Sequence, residues 1–310
     1  MTASAARGSS ADKSKTRNQR DAYGTGTAKR ARRTAAEIER LDDDLYRIVR
    51  EQKPMTVRQV YYQAVRFKLV PKSETKGYRV VQRRLRELRA SGTMPYGWIA
   101  DNIRTVLGYN RWADVGAFGR QVANLYRRDF WARAPVRVEV WIEKDALAGV
   151  IVPVVDEWGL DLYVARGYSS ISYLEAAAEA LRDDGRPAVV YVMTDFDPSG
   201  MNVAETVARE LLARAPEVDL NVIRLALTRE QAAEHDLPMR DVNGRDSRAK
   251  DFIRKYGDQC TDLDALPPGV LRGLLSEAIE RHADREELAR LRRVEQAERE
   301  SIATAFGSRL

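Results

Sequence analysis

The chain has 310 residues, 44% of them hydrophobic and 32% charged, enough for one large or two ordinary domains with real cores. One cysteine, Cys260, excludes an internal disulfide framework or a Cys-based zinc site, and two histidines, His235 and His282, are too few for a His-rich metal centre. No run approaches ~18 consecutive apolar residues, so no membrane span is expected.

The formal net charge of +6 is unevenly distributed. Residues 1–35 hold nine Lys or Arg against two acids, without apolar periodicity, so residues 1–34 are expected to be a disordered basic tail. That start lacks the apolar segment of a secretory signal. Its Arg-rich, acid-poor composition is also that of an organellar presequence, but the expected location is the cytoplasm, on the nucleoid in a prokaryote.

From Ala35 a helical pattern begins, with Ile38, Leu41, Leu45, Ile48 and Val49 at spacings of three and four, ending at Lys53-Pro54. Thr56 is a credible N-cap for a second helix carrying Val57, Val60, Tyr61 and Val65. A third helix is predicted over residues 77–89, studded with Arg79, Arg83, Arg84, Arg86 and Arg89. Residues 56–91 hold ten Lys or Arg against two acids. After Ser91-Gly92, Pro95-Tyr96-Gly97 makes a turn before Ile99. Three helices, the third basic, followed by a turn and a short extended piece have the plan of a winged helix. Residues 35–102 are therefore expected to be a DNA-binding domain whose five arginines meet double-stranded DNA. The competing reading is a three-helix bundle with a solvated arginine face.

Residues 103–135 read as a helical connector. Beyond Pro135 the texture changes. Strands are predicted over residues 136–142, 162–165 and 188–193 and within 218–227. Helices are predicted over 146–158, 172–182 and 202–214, and the charged segment after Pro267-Pro268 is expected to be helical. This alternation implies an α/β domain over residues 136–280, a mostly parallel sheet flanked by helices, with a charged helix over 281–310.

Such sheets bind ligands at the C-terminal ends of their strands. Glu143 ends the first strand, and Asp195 and Asp197 end the apolar third. A spacing of two puts both aspartates on one face. Three carboxylates meeting there would repel unless a cation sat between them, and hard oxygen donors without His or Cys select Mg²⁺, with Mn²⁺ as a substitute. Lys144 beside them is a candidate phosphate contact. The competing reading of Asp195-Phe196-Asp197 is a simple helix cap.

Glu143-Lys144-Asp145, Gly167-Tyr168 and Thr194-Asp195-Phe196-Asp197-Pro198-Ser199-Gly200 resemble a Toprim domain, the metal-binding fold of topoisomerases and related nucleases. Their wording most resembles the topoisomerase VI A subunit and the meiotic double-strand-break transesterase. Asp262-Leu263-Asp264-Ala265-Leu266-Pro267-Pro268 resembles a segment near the end of that family's Toprim domain. The resemblance covers roughly residues 34–280 and fits a compact stand-alone member. It implies a catalytic tyrosine within the pattern Arg, acid, aliphatic, aromatic, Tyr. Arg58-Gln59-Val60-Tyr61-Tyr62 matches and places the nucleophile at Tyr62. Arg58, one helical turn away, would lower the cost of the phenolate. The resemblance also implies a homodimer in which the carboxylates of one subunit work with the tyrosine of the other. The chain departs from the pattern at Gln59, which replaces the acid, and at Ser169, where the family has Pro. It has no Gly-X-X-X-X-Gly-Lys loop, so ATP-driven strand passage would need a separate ATPase subunit.

Three functions follow as expectations. The first is Mg²⁺-dependent DNA cleavage by tyrosine transesterification, with Tyr62, Arg58, Glu143 and Lys144 catalytic and Glu143, Asp195 and Asp197 on the metal. The second is a Toprim nuclease using metal-activated water. The third is a non-catalytic DNA-binding subunit of a larger assembly. No role is assigned to His235, His282 or Cys260.

Overall fold

The computed structural model describes residues 33–100, 111–165 and 171–307. The basic tail up to residue 32 and the Gly167-Tyr168 pair lie outside the described residues, as do residues 101–110 of the connector.

The N-terminal unit has three helices, α1 (Ala35–Gln52), α2 (Val57–Arg66) and α3 (Arg79–Ala90). Each of the first two starts at a reciprocal cap. Thr34 accepts from the Glu37 amide while Glu37 reaches back, and Thr56 and Gln59 do the same. Gln59 thus uses its side chain, which is buried, to start α2. Leu45, Val49, Val60, Val81, Leu85 and Met94 fill the core of this unit. A single wide helical turn, Glu74–Tyr78, precedes α3 and takes the place of the helix start expected at Gly77. A Cβ on Gly77 would lie 2.1 Å from the Pro71 carbonyl oxygen, so only glycine permits that close approach.

The expected wing is not shown among the described residues. After α3 the chain makes a short 3₁₀ turn, Tyr96–Trp98, and one parallel bridge between Met55 and Ile99. Among the described residues no two-stranded hairpin follows α3, so the unit is shown as a three-helix module.

In the connector, only α4 (Val115–Leu125) is helical among the described residues. The α/β domain follows as β1 (Arg137–Ile142), α5 (Asp145–Trp158), β2 (Leu162–Val164), α6 (Ile171–Asp184), β3 (Ala188–Met193), α7 (Pro198–Arg214) and β4 (Leu220–Ala226). The four strands form one sheet in the order β2-β1-β3-β4, and all neighbours are parallel. Alternation sorts the two faces. Val138, Val140, Ile142, Tyr191 and Met193 join α5 on one side, while Trp141, Val190 and Val192 meet α6 and α7 on the other.

Sequence patterning did not resolve the segment after β4. It contains α8 (Arg229–Glu234), β5 (Arg240–Asp241), α9 (Ala249–Tyr256) and β6 (Gln259–Cys260), with β5 and β6 antiparallel. α10 (Pro268–Glu280) covers the α5 face of the sheet, and α11 (Arg285–Gly307) lies along α4. Phe306 packs directly on Gly119, and the Tyr126 hydroxyl donates to Glu298 at 2.9 Å. The connector and the C-terminal charged helix are therefore partners. No helix among the described residues is long and apolar enough to cross a membrane.

Candidate metal centre

β3 ends at Met193, Thr194 and Asp195 follow it directly, and the chain turns through Phe196 into α7. Asp197 is the N-cap of that helix, accepting from the Gly200 amide at 2.8 Å, and Pro198 follows at the first helical position, where no amide is needed. A Cβ on Gly200 would lie 2.3 Å from the Asp195 carbonyl oxygen, so the first turn of α7 packs directly on the strand end. The Asp-X-Asp-Pro-X-Gly pattern is thus a local device that holds two carboxylates at a strand end.

A third carboxylate arrives from far along the chain. Phe196 and Thr261 form an antiparallel bridge, with amide-to-carbonyl distances of 3.1 and 3.0 Å. Asp195 and Asp197 flank one partner of this bridge, and Asp262 follows the other. Carboxylate oxygens of Asp195, Asp197 and Asp262 lie within 4.8 Å of one another. Phe196 is buried against Phe252 and Tyr256 of α9, which anchors the bridge. The Leu263 amide donates to Asp195 Oδ1 at 2.7 Å.

Glu143, at the end of β1, belongs to the same place. Its Oε2 accepts from the Asp195 amide at 3.3 Å. The carboxylates expected from the sequence therefore do converge, although the tightest group of three contains Asp262 in place of Glu143. Asp262 lay in a segment noted only for its resemblance, without a site role. The signal that could have found it is its position two residues before Asp264, in a run of acids just ahead of Pro267-Pro268.

Two cations thread this cluster. Lys144 Nζ lies 2.8 Å from both Asp195 Oδ1 and Asp264 Oδ2. It is therefore held by two carboxylates, where the sequence suggested an open phosphate contact. Arg240 on β5, which sequence reasoning missed, bridges Asp197 Oδ2 at 3.3 Å and Asp262 Oδ1 at 3.0 Å. The Tyr62 hydroxyl donates to Asp262 Oδ2 at 2.6 Å, and Arg58 Nη1 lies 3.7 Å from the same oxygen. Arg58 also sits over the Tyr78 ring at 5.2 Å.

The electrostatics follow from this arrangement. Burial, then the neighbouring Asp195 carboxylate, pushes Glu143 up to about 7. Burial pushes Asp195 up to about 6 against the pull of Lys144. Burial disfavours the charged form of Lys144, but Asp195, Asp264 and Asp262 outweigh it and hold the ammonium charged. Asp262 is also buried, yet Lys144, the Tyr62 hydrogen bond and Arg240 keep its carboxyl below the usual range. Burial and then Asp262 raise the Tyr62 phenol above its ordinary value, and Arg58 and Lys144 oppose this without winning. Arg58 acts in the expected direction, but a buried phenol beside a carboxylate stays protonated.

With all groups ionised, five carboxylates (Glu143, Asp195, Asp197, Asp262, Asp264) face three cations (Lys144, Arg240, Arg58), an excess of two negative charges. Hard oxygen donors that converge within 4.8 Å, in surroundings that push protons onto two of the acids, fit a divalent cation.

The arginines of α3 divide into two groups. Arg79, Arg83 and Arg86 are exposed along one stripe at spacings of four and three. Arg84 is engaged by Asp42, with Nε 2.7 Å from Oδ1, and also by Glu87. Arg89 is half-buried, with its guanidinium over the Tyr96 ring at 5.7 Å. These last two, expected at DNA, are engaged by side chains of the module itself. No family model matches the chain, and no curated protein matches it.

Proposed function

We propose that this protein is a Mg²⁺-dependent DNA-cleaving transesterase in which Tyr62 is the nucleophile, a compact relative of the topoisomerase VI A subunit with a Toprim-like α/β domain. The observation that carries this reading is the 2.6 Å contact between the Tyr62 hydroxyl and Asp262, inside an acidic cluster suited to a divalent ion. Helical module and sheet edge would then be one machine.

Mg²⁺, or Mn²⁺ in its place, would be held by Asp195, Asp197 and Asp262 with Glu143 beside them, and it would supply charge stabilisation for phosphate oxygens. In the reaction the Tyr62 Oη–P bond forms as the P–O3′ bond breaks. The phenol proton leaves, the 3′-oxygen gains one, and the 5′ strand end stays on the protein. The number of phosphodiester bonds is conserved, so no ATP is needed for cleavage. Arg58 lies next to the phenol and opposes its high pKa, so its part is to favour the phenolate. Lys144 holds Asp195 and Asp264 in place.

Duplex DNA would lie along the exposed stripe of Arg79, Arg83 and Arg86, as in a winged-helix domain, with its backbone entering the cleft lined by Thr56, Arg58, Tyr78, Gln82 and Lys144. A homodimer, and a separate ATPase subunit if strands are passed, complete this proposal. A second reading, a nuclease using metal-activated water, is favoured by one observation: the Tyr62 phenol is held protonated.

The test is supercoiled plasmid with Mg²⁺ or Mn²⁺, with and without proteinase, for wild type, Tyr62→Phe and Asp197→Ala. Protein covalently attached to a 5′ end after denaturation, lost in both variants, is the expected result. Undiminished cleavage by Tyr62→Phe leaves the nuclease reading. Salt-sensitive duplex binding without cleavage leaves a non-catalytic DNA-binding subunit.

A further inference from the structure

The two cations that thread the acidic cluster are held differently. Lys144 Nζ lies 2.8 Å from both Asp195 Oδ1 and Asp264 Oδ2, and its side chain is 25% exposed. Asp264 is buried, and the Thr56 hydroxyl donates to its other oxygen at 2.9 Å. Losing Lys144 would strand buried carboxylates, so this cation stays. Arg240 is 42% exposed, and a single nitrogen, Nη2, makes both of its contacts, to Asp262 Oδ1 at 3.0 Å and to Asp197 Oδ2 at 3.3 Å. Of the five N–H donors of this guanidinium, the three on Nε and Nη1 hydrogen-bond to none of the described residues.

The backbone beneath Arg240 is fixed. Arg240 pairs with Cys260 in the β5–β6 ladder, two residues before Asp262. Lys72 donates to the neighbouring Met239 carbonyl at 2.7 Å. The guanidinium thus stands on a flexible stem above a held strand, at the rim of the acids, with most of its donors unused.

We infer that Arg240 is the exchangeable cation of this site: without a divalent ion it neutralises Asp197 and Asp262, and when an ion takes those carboxylates it passes to an oxygen of the phosphodiester beside them. This rests on the metal-dependent phosphodiester reading above, in its transesterase or its nuclease form, and does not depend on which subunit supplies the tyrosine. The ion and Nη2 draw on the same two carboxylates and repel each other, so binding of one displaces the other. Once displaced, the guanidinium needs an anion, and a phosphate presents oxygens in the arrangement that its donors match. An ion that binds alone leaves Arg240 without a partner, so the site loads weakly until the substrate arrives. Ion and phosphodiester therefore strengthen each other's binding, by the same factor in both directions.

The test is the Mn²⁺ affinity of the full chain, read by electron paramagnetic resonance with and without dimethyl phosphate, the smallest phosphodiester. Sodium chloride at equal ionic strength is the control. Wild type, Arg240→Gln and Arg240→Lys are compared, and thermal melting checks that each folds. Without the diester, Arg240→Gln is expected to bind Mn²⁺ several-fold tighter than wild type, while Arg240→Lys, which keeps the charge, binds it about as weakly as wild type. Dimethyl phosphate is expected to tighten Mn²⁺ binding by wild type several-fold more than by Arg240→Gln, where only direct contact between ion and diester remains.

Equal tightening in wild type and Arg240→Gln overturns the exchange and leaves the metal site standing. Arg240→Lys that matches Arg240→Gln in Mn²⁺ affinity overturns the competition on which the exchange depends. Absence of saturable Mn²⁺ binding in every form removes the metal-dependent reading and the exchange together.

Discussion

The Tyr62 hydroxyl and the Asp262 carboxylate, 200 residues apart in the chain, meet at 2.6 Å. Neither position is special locally. Tyr62 is the sixth residue of α2, and Asp262 follows a two-residue strand. Their contact depends on the Phe196–Thr261 bridge, which brings Asp262 to the end of β3, and on the Thr56–Asp264 junction, which brings α2 to Asp262.

If Asp262 is a metal ligand, Asp262→Asn weakens Mn²⁺ binding at least about tenfold, since even outer partners of metal ligands have effects of that size. Isothermal titration calorimetry checks this. An unchanged affinity would return the third ligand position to Glu143.

Arg240 occupies the space between two carboxylates that a cation would use. Arg240→Gln should tighten Mn²⁺ binding several-fold, because the ion no longer competes with a guanidinium. The same variant should be less stable without metal, because Asp197 and Asp262 then lack their shared counter-charge. Weaker Mn²⁺ binding together with unchanged stability would contradict both statements.

The pH dependence has a defined sign. Glu143 and Asp195 have folded pKa values of about 7 and about 6, above the unfolded 4.5 and 3.8. Their protonated forms favour the fold. That stabilisation is complete below the unfolded values and is lost as pH rises through about 6 to 7. Asp184, held down at about 2 chiefly by its hydrogen bonds with Arg186, stays ionised throughout this window. Metal-free protein should therefore melt higher at pH 5 than at pH 8, and Glu143→Gln should flatten that trend. Mn²⁺ should raise the melting temperature more at pH 8 than at pH 5.5, because protons compete with the ion. A metal-induced shift larger at the acid pH would refute the assignment of these two acids.

On α3, exposure separates the arginines proposed to meet DNA from the one held by Asp42. Arg79→Ala, Arg83→Ala and Arg86→Ala together should reduce the salt slope of duplex binding by about 0.9 for each phosphate that is no longer neutralised. Arg84→Ala should leave that slope nearly unchanged and destabilise the module by about 2 kcal/mol, the scale of a charge-assisted hydrogen bond. The pairing of slope and melting temperature across the two variants decides the matter. A large slope change in Arg84→Ala with normal stability would reverse the assignment.

Thr56→Val removes both the N-cap of α2 and the donor to Asp264. A loss of about 1–2 kcal/mol is expected from the cap, and Tyr62-dependent adduct formation should fall further than stability alone explains. Thr56→Ser, which keeps both hydrogen bonds, should restore both properties. Equal loss in the serine variant would mean that the methyl group, not the hydroxyl, secures the junction.

Local chemistry was legible in the sequence wherever one segment suffices. Periodicity placed α1, α2 and the four parallel strands, because a helix or a buried strand repeats its apolar residues at a fixed interval. The Asp195-Phe196-Asp197-Pro198-Ser199-Gly200 run announced a strand end and a turn into a helix; the helix starts at Pro198 rather than at 202, and Asp197 is its cap, as the competing reading had it. Glu143 at the end of β1 was legible for the same reason, since adjacent parallel strands end on one edge. The short elements α8, β5, α9 and β6 carry too few residues to show a period, and with them Arg240 went unseen.

Tertiary structure alone decided which charges meet. Five arginines on one predicted helix look alike in sequence. Packing against α1 gives Arg84 to Asp42, and leaves Arg79, Arg83 and Arg86 to solvent. Lys144 looked like an open phosphate contact until Asp264 arrived beside it, and Asp262 joined the acids only through a two-residue bridge. A charge pair depends on a distance of a few ångströms between side chains that come from separate segments of the chain, such as Arg84 and Asp42 or Lys144 and Asp264, and no local pattern records that distance. The sequence by itself determined the kinds of groups and the edges that present them, and the folded chain decided that a tyrosine, two cations and three aspartates share one centre.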